Sequence, residues 1–239
     1  MSYGLALKSN SNAYIIDGFN SGLSFKGKYT STSISSGLAT FNLTGITGTP
    51  IVFVKTTDTS RSDWTFITYS MVDNGGGSWT VKIGCGLFNG SSYVHPSNVV
   101  AYVFHPYSST NTGYGVAIKN TSGTTVFNSY DIPLILSGYR VVSQQSGYDN
   151  ITAIYPDNQS LTSGTCTTSS AIFCPAFGGI RTRVTVSISV LSFIGAGCGT
   201  NYIYFRHSGY GLGSQPVPYN EYYLEGGKYV MVIDTSLYD

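Results

Sequence analysis

Apolar and polar residues alternate along several stretches of the chain with a period of two, which is typical of a half-buried β-strand. Residues 78–88 show the pattern clearly, since Val81 and Ile83 alternate with Thr80 and Lys82. The apolar set is predicted to face a core and the polar set to face solvent.

The same pattern predicts strands over much of the remaining chain. They cover residues 49–56, 63–72, 98–106, 181–197, 201–211 and 227–234. The run at 181–197 is the longest. Its apolar residues Val184, Val186, Ile188 and Val190 are predicted to line one face. A hairpin loop is predicted over 72–77, where Asn and Gly follow one another.

The composition agrees with a chain of strands and tight turns. Charged residues make up 10% of the 239 residues and aromatic residues 14%, with 20 Tyr and 29 Gly. Few residues that favour exposed helical faces are present, whereas β-branched, aromatic and turn residues are common. We therefore predict an all-β protein of two related β-sandwich-like modules built from antiparallel hairpins, at residues 1–110 and 111–239, with separate cores and one shared core as the alternatives.

An internal repeat underlies the prediction of two modules. The stretch YGLALKSNSNAYIIDGFNSGLSFKG at 3–27 resembles YGVAIKNTSGTTVFNSYDIPLILSG at 114–138. Identical residues stand at several matched positions, and the apolar positions stay apolar. Each copy is predicted to open its module with a β-hairpin, in which Asn12 and Gly123 occupy the same turn position. Asn and Gly accept positive φ most readily, which explains their exchange.

The charge, hydropathy and cysteine content limit the classes of partner and of covalent cross-link that are expected. The net charge is +1 without any basic block, so nucleic acid is not an expected partner. No long apolar run predicts a membrane span, and residues 1–10 lack the features of a secretory signal. For Cys166 and Cys174 we favour buried thiols over a disulfide, because the chain is expected to be made in the cytosol.

Catalytic and metal-binding patterns are weak in this sequence. Glu221 and Glu225 form its one Glu pair, and no feature indicates that they converge on a pocket. The histidines His95, His105 and His207 lie far apart in the chain. We therefore predict no catalytic residue, no metal site and no cofactor, and we do not expect an enzyme.

The repeated segment resembles a family of tailed-bacteriophage virion proteins described as tail, tail-fibre or structural proteins. Their shared motif has Tyr-Gly, alternating apolar residues, a turn Gly and an aromatic residue before Asp/Asn-Ser. The second copy matches it at Tyr114, Gly115, Val116, Ile118, Asn120, Gly123, Val126, Phe127, Asn128 and Ser129. The first copy keeps Tyr3, Gly4 and Asp17 but departs from the motif with Asn12 for the turn Gly, Ile16 for the aromatic residue and Gly18 for the Ser.

The resemblance implies a virion component and assigns no active residue. Tail tip or fibre is favoured, with host-receptor attachment as its sharper form. Capsid decoration and a scaffold or adaptor are alternatives, and a host-glycan-degrading enzyme is the least favoured. Expected partners are further copies of this chain, other virion proteins and a host receptor or glycan.

Tyrosines near the end of the sequence are the predicted contact residues. Tyr combines a large rigid face with a hydroxyl, which suits saccharides and protein interfaces. The predicted set is Tyr202, Tyr204, Tyr210, Tyr219, Tyr222 and Tyr223. The alternative is that half or more of them pack as ordinary strand residues.

Overall fold

A computed structural model describes most of the chain, with side chains in a smaller part of it. The described backbone comprises residues 7–8, 14–16, 22–88, 93–107, 115–119, 122–123, 125–142, 145–148, 159–161, 163–175, 178–185, 188–200, 202–212, 221–224 and 228–239. Side chains are described at 22–86, 94–107, 115–119, 122–123, 125–141, 161, 163–175, 195–200, 202–203, 205 and 229–239.

Strands make up almost all regular structure in these residues, which confirms the predicted all-β class. In the first half they are β1 (Leu7–Lys8), β2 (Tyr14–Ile16), β3 (Leu23–Ser31), β4 (Ile34–Ser35), β5 (Leu38–Leu43), β6 (Ile51–Lys55), β7 (Ile67–Gly75), β8 (Ser78–Gly84), β9 (Leu87–Phe88), β10 (Tyr93–Val94) and β11 (Val99–Pro106). The second half contains β12 (Ala117–Lys119), β13 (Thr125–Asn128), β14 (Gly138–Val142), β15 (Gln145–Tyr148), β16 (Gln159–Ser160), β17 (Ser163–Gly164), β18 (Ala171–Phe173), β19 (Gly178–Thr185), β20 (Ile188–Cys198), β21 (Tyr202–Leu212), β22 (Glu221–Leu224), β23 (Lys228–Ile233) and a 3-10 helix (Thr235–Leu237).

A 7-stranded antiparallel sheet in the order β17-β14-β23-β18-β6-β11-β3 organises the fold. The segment before β14, residues 132–137, closes this sheet on itself. Phe25 donates its backbone N–H to Ile132 O, Leu134 donates to Leu23 O, and Ser137 donates to Val232 O. Because one continuous segment pairs with β3 and then with β23, the strands from β14 to β3 form a closed barrel.

The barrel interior is packed with aromatic rings. Phe104 is fully buried, and its ring centroid lies 5.5 Å from that of Phe25, 5.6 Å from that of Phe53 and 5.0 Å from that of Tyr238. Tyr238 follows the 3-10 helix, and its hydroxyl donates to Pro133 O and accepts from Ile135 N. The segment after β23 therefore packs into the barrel and is hydrogen-bonded to the segment that closes it.

A second core lies outside the barrel wall. Alternate residues of the barrel strands pack there against the 4-stranded sheet β4-β5-β8-β7 and against β20 and β21. Val81 and Ile83 are fully buried in this core, as their alternation predicts. The sheet that holds β20 and β21 runs β10-β9-β21-β20-β19-β22-β15, with β16 also paired to β21.

Two predicted elements differ from the structure. The alternating run at 181–197 is not one strand, because β19 and β20 pair with each other in an antiparallel hairpin, for example Arg181 with Leu191. The predicted loop at 72–77 is also too long, since β7 continues to Gly75 and the turn takes up Gly76 and Gly77. Both glycines have positive φ, which allows this tight reversal.

The two copies of the repeat form the same hairpin. Leu7 pairs with Ile16 in the first copy, and the matched residues Ile118 and Phe127 pair in the second. A register shift follows at the next position in both. Gly123 has φ +81°, as its turn position predicts, whereas Asn12 lies outside the described residues.

Strands from both predicted modules lie side by side in the barrel. One half has the order β3-β11-β6 and the other β14-β23-β18, and the halves meet where Val54 pairs with Ile172. Both β3 and β14 follow a copy of the repeat hairpin. The two stretches thus share one sheet and one core, and the predicted boundary at residue 110 stays a prediction.

Candidate functional site

A pocket of about 470 Å³ opens where β6 ends and β18 begins, on the outer face of the barrel. Its floor is apolar and comes from strands β6, β18 and β20 and from the segment before β7, whereas its rim consists of hydroxyl and charged residues. The floor comprises Val54, Trp64, Phe66, Ile172 and Cys198. The rest of the lining consists of Lys55, Thr56, Thr57, Asp58, Thr59, Arg61, Ser62, Thr168, Ser169 and Ser170.

One wall is the polar loop that follows β6, and Asn98 holds its start in place. Asn98 Oδ1 accepts from Thr57 N at 3.1 Å, and its Nδ2 donates to Thr57 Oγ1 at 2.9 Å. Thr56 Oγ1 donates to Asn98 O at 2.7 Å. Because Asn98 directly precedes β11, the loop is anchored to a strand that is buried almost throughout.

Asp58 fixes the middle of the same loop. Its Oδ1 accepts from Ser60 N at 2.8 Å and its Oδ2 accepts from Ser97 N at 2.6 Å. The hydrogen bond from the Ser60 side chain, together with these two backbone hydrogen bonds, lowers the pKa of the carboxyl far below its ordinary value. Asp58 is therefore a carboxylate at neutral pH and presents acceptors to the pocket, not a proton to donate.

Arg61 and Asp63 form a two-point ion pair at the rim. Arg61 Nε donates to Asp63 Oδ1 at 2.8 Å, and Nη2 donates to Asp63 Oδ2 at 2.9 Å. The same guanidinium lies over the ring of Trp64, 5.8 Å from its centroid, and Trp64 is 5% exposed. The ion pair and the ring contact together orient the guanidinium beside the pocket.

The opposite wall is the turn before β18, and a lysine inside the barrel mouth supports it. Lys55 Nζ donates to Thr235 Oγ1 at 2.7 Å and to Ser169 O at 3.3 Å. It also lies 5.4 Å from the centroid of the Tyr102 ring. Asp239 lies 3.7 Å from Lys55 Nζ. Burial lowers the pKa of Lys55, an effect that the charge of Asp239 opposes.

The thiols lie differently from what a disulfide between Cys166 and Cys174, the alternative for the sequence, would require. Cys166 Sγ donates to Gly199 O and to Tyr202 O, each at 3.2 Å. Its thiol also hydrogen-bonds that of Cys198, which together with burial raises the pKa of Cys198. Cys166 thus approaches Cys198 in the pocket floor and not Cys174, and all four cysteines are thiols in the structure.

The pocket is therefore equipped to bind a ligand. Hydroxyl groups donate and accept, the Arg61 guanidinium donates, and the Asp58 carboxylate accepts. The apolar floor offers contact area beneath these groups. Sequence reasoning did not identify the pocket. The signal it offered was the polar stretch TTDTSRSD at 56–63 followed directly by Trp64.

The predicted tyrosines do not come together on neighbouring strands. Tyr204 and Tyr210 lie in β21, Tyr222 and Tyr223 lie in β22, and β20 and β19 separate these two strands in the sheet. Tyr219 lies outside the described residues. Tyr202 is half-buried against Gly199, where an added Cβ would lie 2.2 Å from its ring. The set remains a prediction, with Tyr202 used in packing.

The repeat motif residues have local structural roles in the second copy. An added Cβ on Gly115 would lie 2.4 Å from the Tyr130 ring, which explains the glycine. Asn128 is buried and accepts from Tyr130 N at 3.1 Å. Ser129 Oγ accepts from Val116 N at 2.9 Å. The remaining predicted motif residues, Tyr3, Gly4, Asn12, Asp17 and Tyr114, lie outside the described residues.

His105 is a buried strand residue and not part of the pocket. It is 6% exposed, and its Nδ1 accepts from Thr47 N at 3.0 Å. Burial, together with the charge of Lys26, lowers its pKa. The neutral imidazole is thus the form that fits the fold, because a protonated Nδ1 could not accept this hydrogen bond.

We expect acid to destabilise the protein through His105. A folded-state pKa below the unfolded value of about 6.5 adds stability above that pH, and this stability is lost as the pH falls. The free energy of unfolding, measured in urea from pH 7 to pH 5, should fall by at most about 1.4 kcal/mol per pH unit from this group. A His105→Asn variant, which keeps an acceptor, should show a shallower slope. Equal slopes would contradict this assignment.

Other candidate chemistry is sparse in the described part of the chain. No group of three or more His, Cys, Asp or Glu side chains there could hold a metal ion. Glu221 lies in β22, while Glu225 lies outside the described residues. Among the same residues, no helix is long and apolar enough to cross a bilayer.

Comparison of the chain with known protein families, with curated proteins and with solved structures gave no match. The pocket and the repeat are therefore interpreted from their own geometry.

Proposed function

We propose that this protein is a structural component of a tailed-phage virion, at the tail tip or in a fibre, where it assembles with further copies of itself and attaches to the host surface. The proposal rests on the repeat motif, on a composition low in charge and rich in Tyr, Gly, Ser, Thr and Asn, and on the surface described next.

One observation carries the assembly part of the proposal. The segment that closes the barrel belongs to the second copy of the repeat, and it exposes large apolar side chains. Ile135 is 49% exposed, and Tyr130, Ile132 and Leu136 are similarly exposed. Leu237 is exposed on the 3-10 helix, which Tyr238 links to this segment. Several exposed apolar residues close together are typical of a surface that another protein covers.

The backbone of this segment is already fixed, which suits a permanent assembly surface. Its N–H and C=O groups bond to Leu23, Phe25 and Val232 on the barrel strands. Docking of a partner would therefore cost this segment little conformational entropy. A second copy of the chain is the occupant that we propose.

Attachment is favoured over glycan cleavage by the pocket chemistry. Cleavage needs one carboxyl group that stays protonated near neutral pH as well as one carboxylate. At the pocket, Asp58 is held ionised, and Asp63 is paired with Arg61. These groups suit ligand binding. Capsid decoration would use the same apolar surface and is the second candidate.

We expect Ile135→Asp to weaken self-association without unfolding the protein. The charge would lie in the buried centre of the proposed interface, where desolvation without a partner is costly. Sedimentation velocity should show wild-type protein as an oligomer and the variant shifted toward monomer at the same concentration. Val72→Asp is the control, because Val72 is 51% exposed on β7, outside this surface. A monomeric wild-type protein would contradict the proposal.

Two experiments test the virion and attachment parts separately. Antibody labelling of intact particles in electron microscopy should place the chain at the tail, and labelling over the head would favour capsid decoration. Purified protein should compete with phage adsorption to host cells. Absence from particles would overturn the virion proposal, and unchanged adsorption at saturating protein would overturn the attachment part.

A further inference from the structure

We infer that the pocket between loop 56–63 and turn 167–170 binds a single neutral pyranose ring of a saccharide. A saccharide would be the ligand through which the proposed attachment takes place. The inference rests on the proposed function only for the source of the saccharide, the host surface. The pocket itself carries the argument for the ligand class.

The size and depth of the pocket suit a small ligand. Its volume of about 470 Å³ lies within the roughly 300–1,000 Å³ of small-molecule sites. It is formed by residues of separate sheets that are brought together by the barrel wall. A monosaccharide unit would occupy part of it, with the rest of a glycan chain leaving through the open side.

The charged groups of the pocket lining each have a partner within the protein. Lys55 and Arg61 lie beside Asp239 and Asp63. The Asp58 carboxylate accepts from two backbone N–H groups. A charged ligand would have to compete with these partners, whereas a neutral ligand needs no counter-charge. Two of the five Arg61 N–H donors bond Asp63. The others remain to orient a hydroxyl of the ligand.

The distribution of polar and apolar groups matches a pyranose. Hydroxyl side chains, among them Thr59, Thr168 and Ser170, surround the rim. A hydroxyl both donates and accepts, as each sugar hydroxyl does. Val54, Phe66 and Ile172 form the floor, which suits the C–H face of the ring. A purely apolar ligand would cover rim hydroxyl groups without offering them hydrogen bonds, at a cost.

The rim is held in its conformation by the scaffold. Asn98 and Ser97 fix loop 56–63 from one side, and Lys55 fixes Ser169 on the other. Binding would thus order few additional groups, which favours affinity. Asn98 and Lys55 act here as positioning residues.

The two tryptophans of the chain provide a direct test. Trp64 lines the pocket and Trp79 lies in β8, outside the lining. Protein labelled with 5-fluorotryptophan should give one fluorine resonance for each, assigned with Trp79→Phe. Titration with glucose, galactose and N-acetylglucosamine should shift the Trp64 resonance saturably with at least one sugar and leave Trp79 unchanged. Inorganic phosphate and glucuronate serve as charged probes.

Two variants locate the binding. Thr59→Phe places a ring into the pocket and should abolish the Trp64 shift. Thr44→Phe is its control, since Thr44 is exposed beyond the opposite end of β6. Arg61→Gln should weaken binding about tenfold, the size of one lost hydrogen bond to a charged group.

The outcomes separate this inference from the proposed function. A saturable shift with neutral sugars that Thr59→Phe removes supports it, even if adsorption is unaffected. Preference for phosphate or glucuronate would overturn it, as would equal shifts of both resonances or no shift with any of the sugars. In those cases attachment through another surface would still stand if the protein competes with phage adsorption.

Discussion

Replacing Phe104 with alanine is expected to lower the free energy of unfolding by about 3–5 kcal/mol, the largest loss for any single core position considered. Phe104 is fully buried and contacts the rings of Phe25, Phe53 and Tyr238. Alanine would remove all three ring contacts and leave a cavity at the centre of the barrel. Urea denaturation followed by circular dichroism measures the loss.

Two controls identify its cause. Phe104→Leu keeps most of the volume and should cost clearly less. Val72→Ala removes an exposed apolar side chain and should change stability by less than about 0.5 kcal/mol. A loss in Phe104→Ala as small as in Val72→Ala would show that the barrel interior is not a packed core.

Gly164→Ala is expected to cost about 3 kcal/mol or more, from two causes that act together. Gly164 has φ +85°, which is unfavourable for any residue with a Cβ. The added Cβ would also lie 2.1 Å from Ser137 O and 2.5 Å from Gly138 Cα. These are backbone atoms of the segment that closes the barrel, so no side chain can move aside.

Gly123→Ala separates these two causes. Gly123 has nearly the same backbone angle, φ +81°, but an added Cβ there meets no atom within 4 Å. The free energy of unfolding of Gly123→Ala should fall only by the cost of the backbone strain, about 1–2 kcal/mol. Thermal unfolding of both variants compares them directly. Equal losses would mean that the contact with Ser137 contributes nothing.

Some local elements of this fold could be predicted from the sequence, because their structure depends on neighbouring residues. The run NVVAYVFHP predicts a strand at 98–106, and β11 spans Val99–Pro106. The Asn/Gly exchange at matched turn positions predicts positive φ, and Gly123 has it. Both features follow from steric preferences within a few residues.

The long run at 181–197 shows where such reasoning fails. Alternation keeps its phase through this hairpin because the register shift between Arg183 and Thr185 adds one residue to the reversal, so periodicity cannot locate the turn. The Thr-Val-Ser-Ile sequence at 185–188 also lacks Gly, Asn and Pro, the residues that usually mark a turn. The pairing of Arg181 with Leu191 is decided by the partner strands.

The candidate site was hidden for a related reason. Asn98, Asp58 and Ser169 each look like ordinary loop residues, and only the pairing of β6 with β18 and β11 brings their loops together. The predicted tyrosines illustrate the converse. Their crowding in sequence does not place them on adjacent strands, because β19 and β20 lie between β21 and β22.

By itself the sequence determined the all-β class, the repeat hairpin and several long strands such as β6, β8 and β11, since each depends on local periodicity and backbone sterics. The tertiary structure decided that residues 132–142 close a barrel and that the strands following both copies of the repeat belong to one sheet. It also decided that loops 56–63 and 167–170 face each other across a pocket. Those features depend on which distant strands pair, and the pairing is fixed by burial of the whole apolar surface at once.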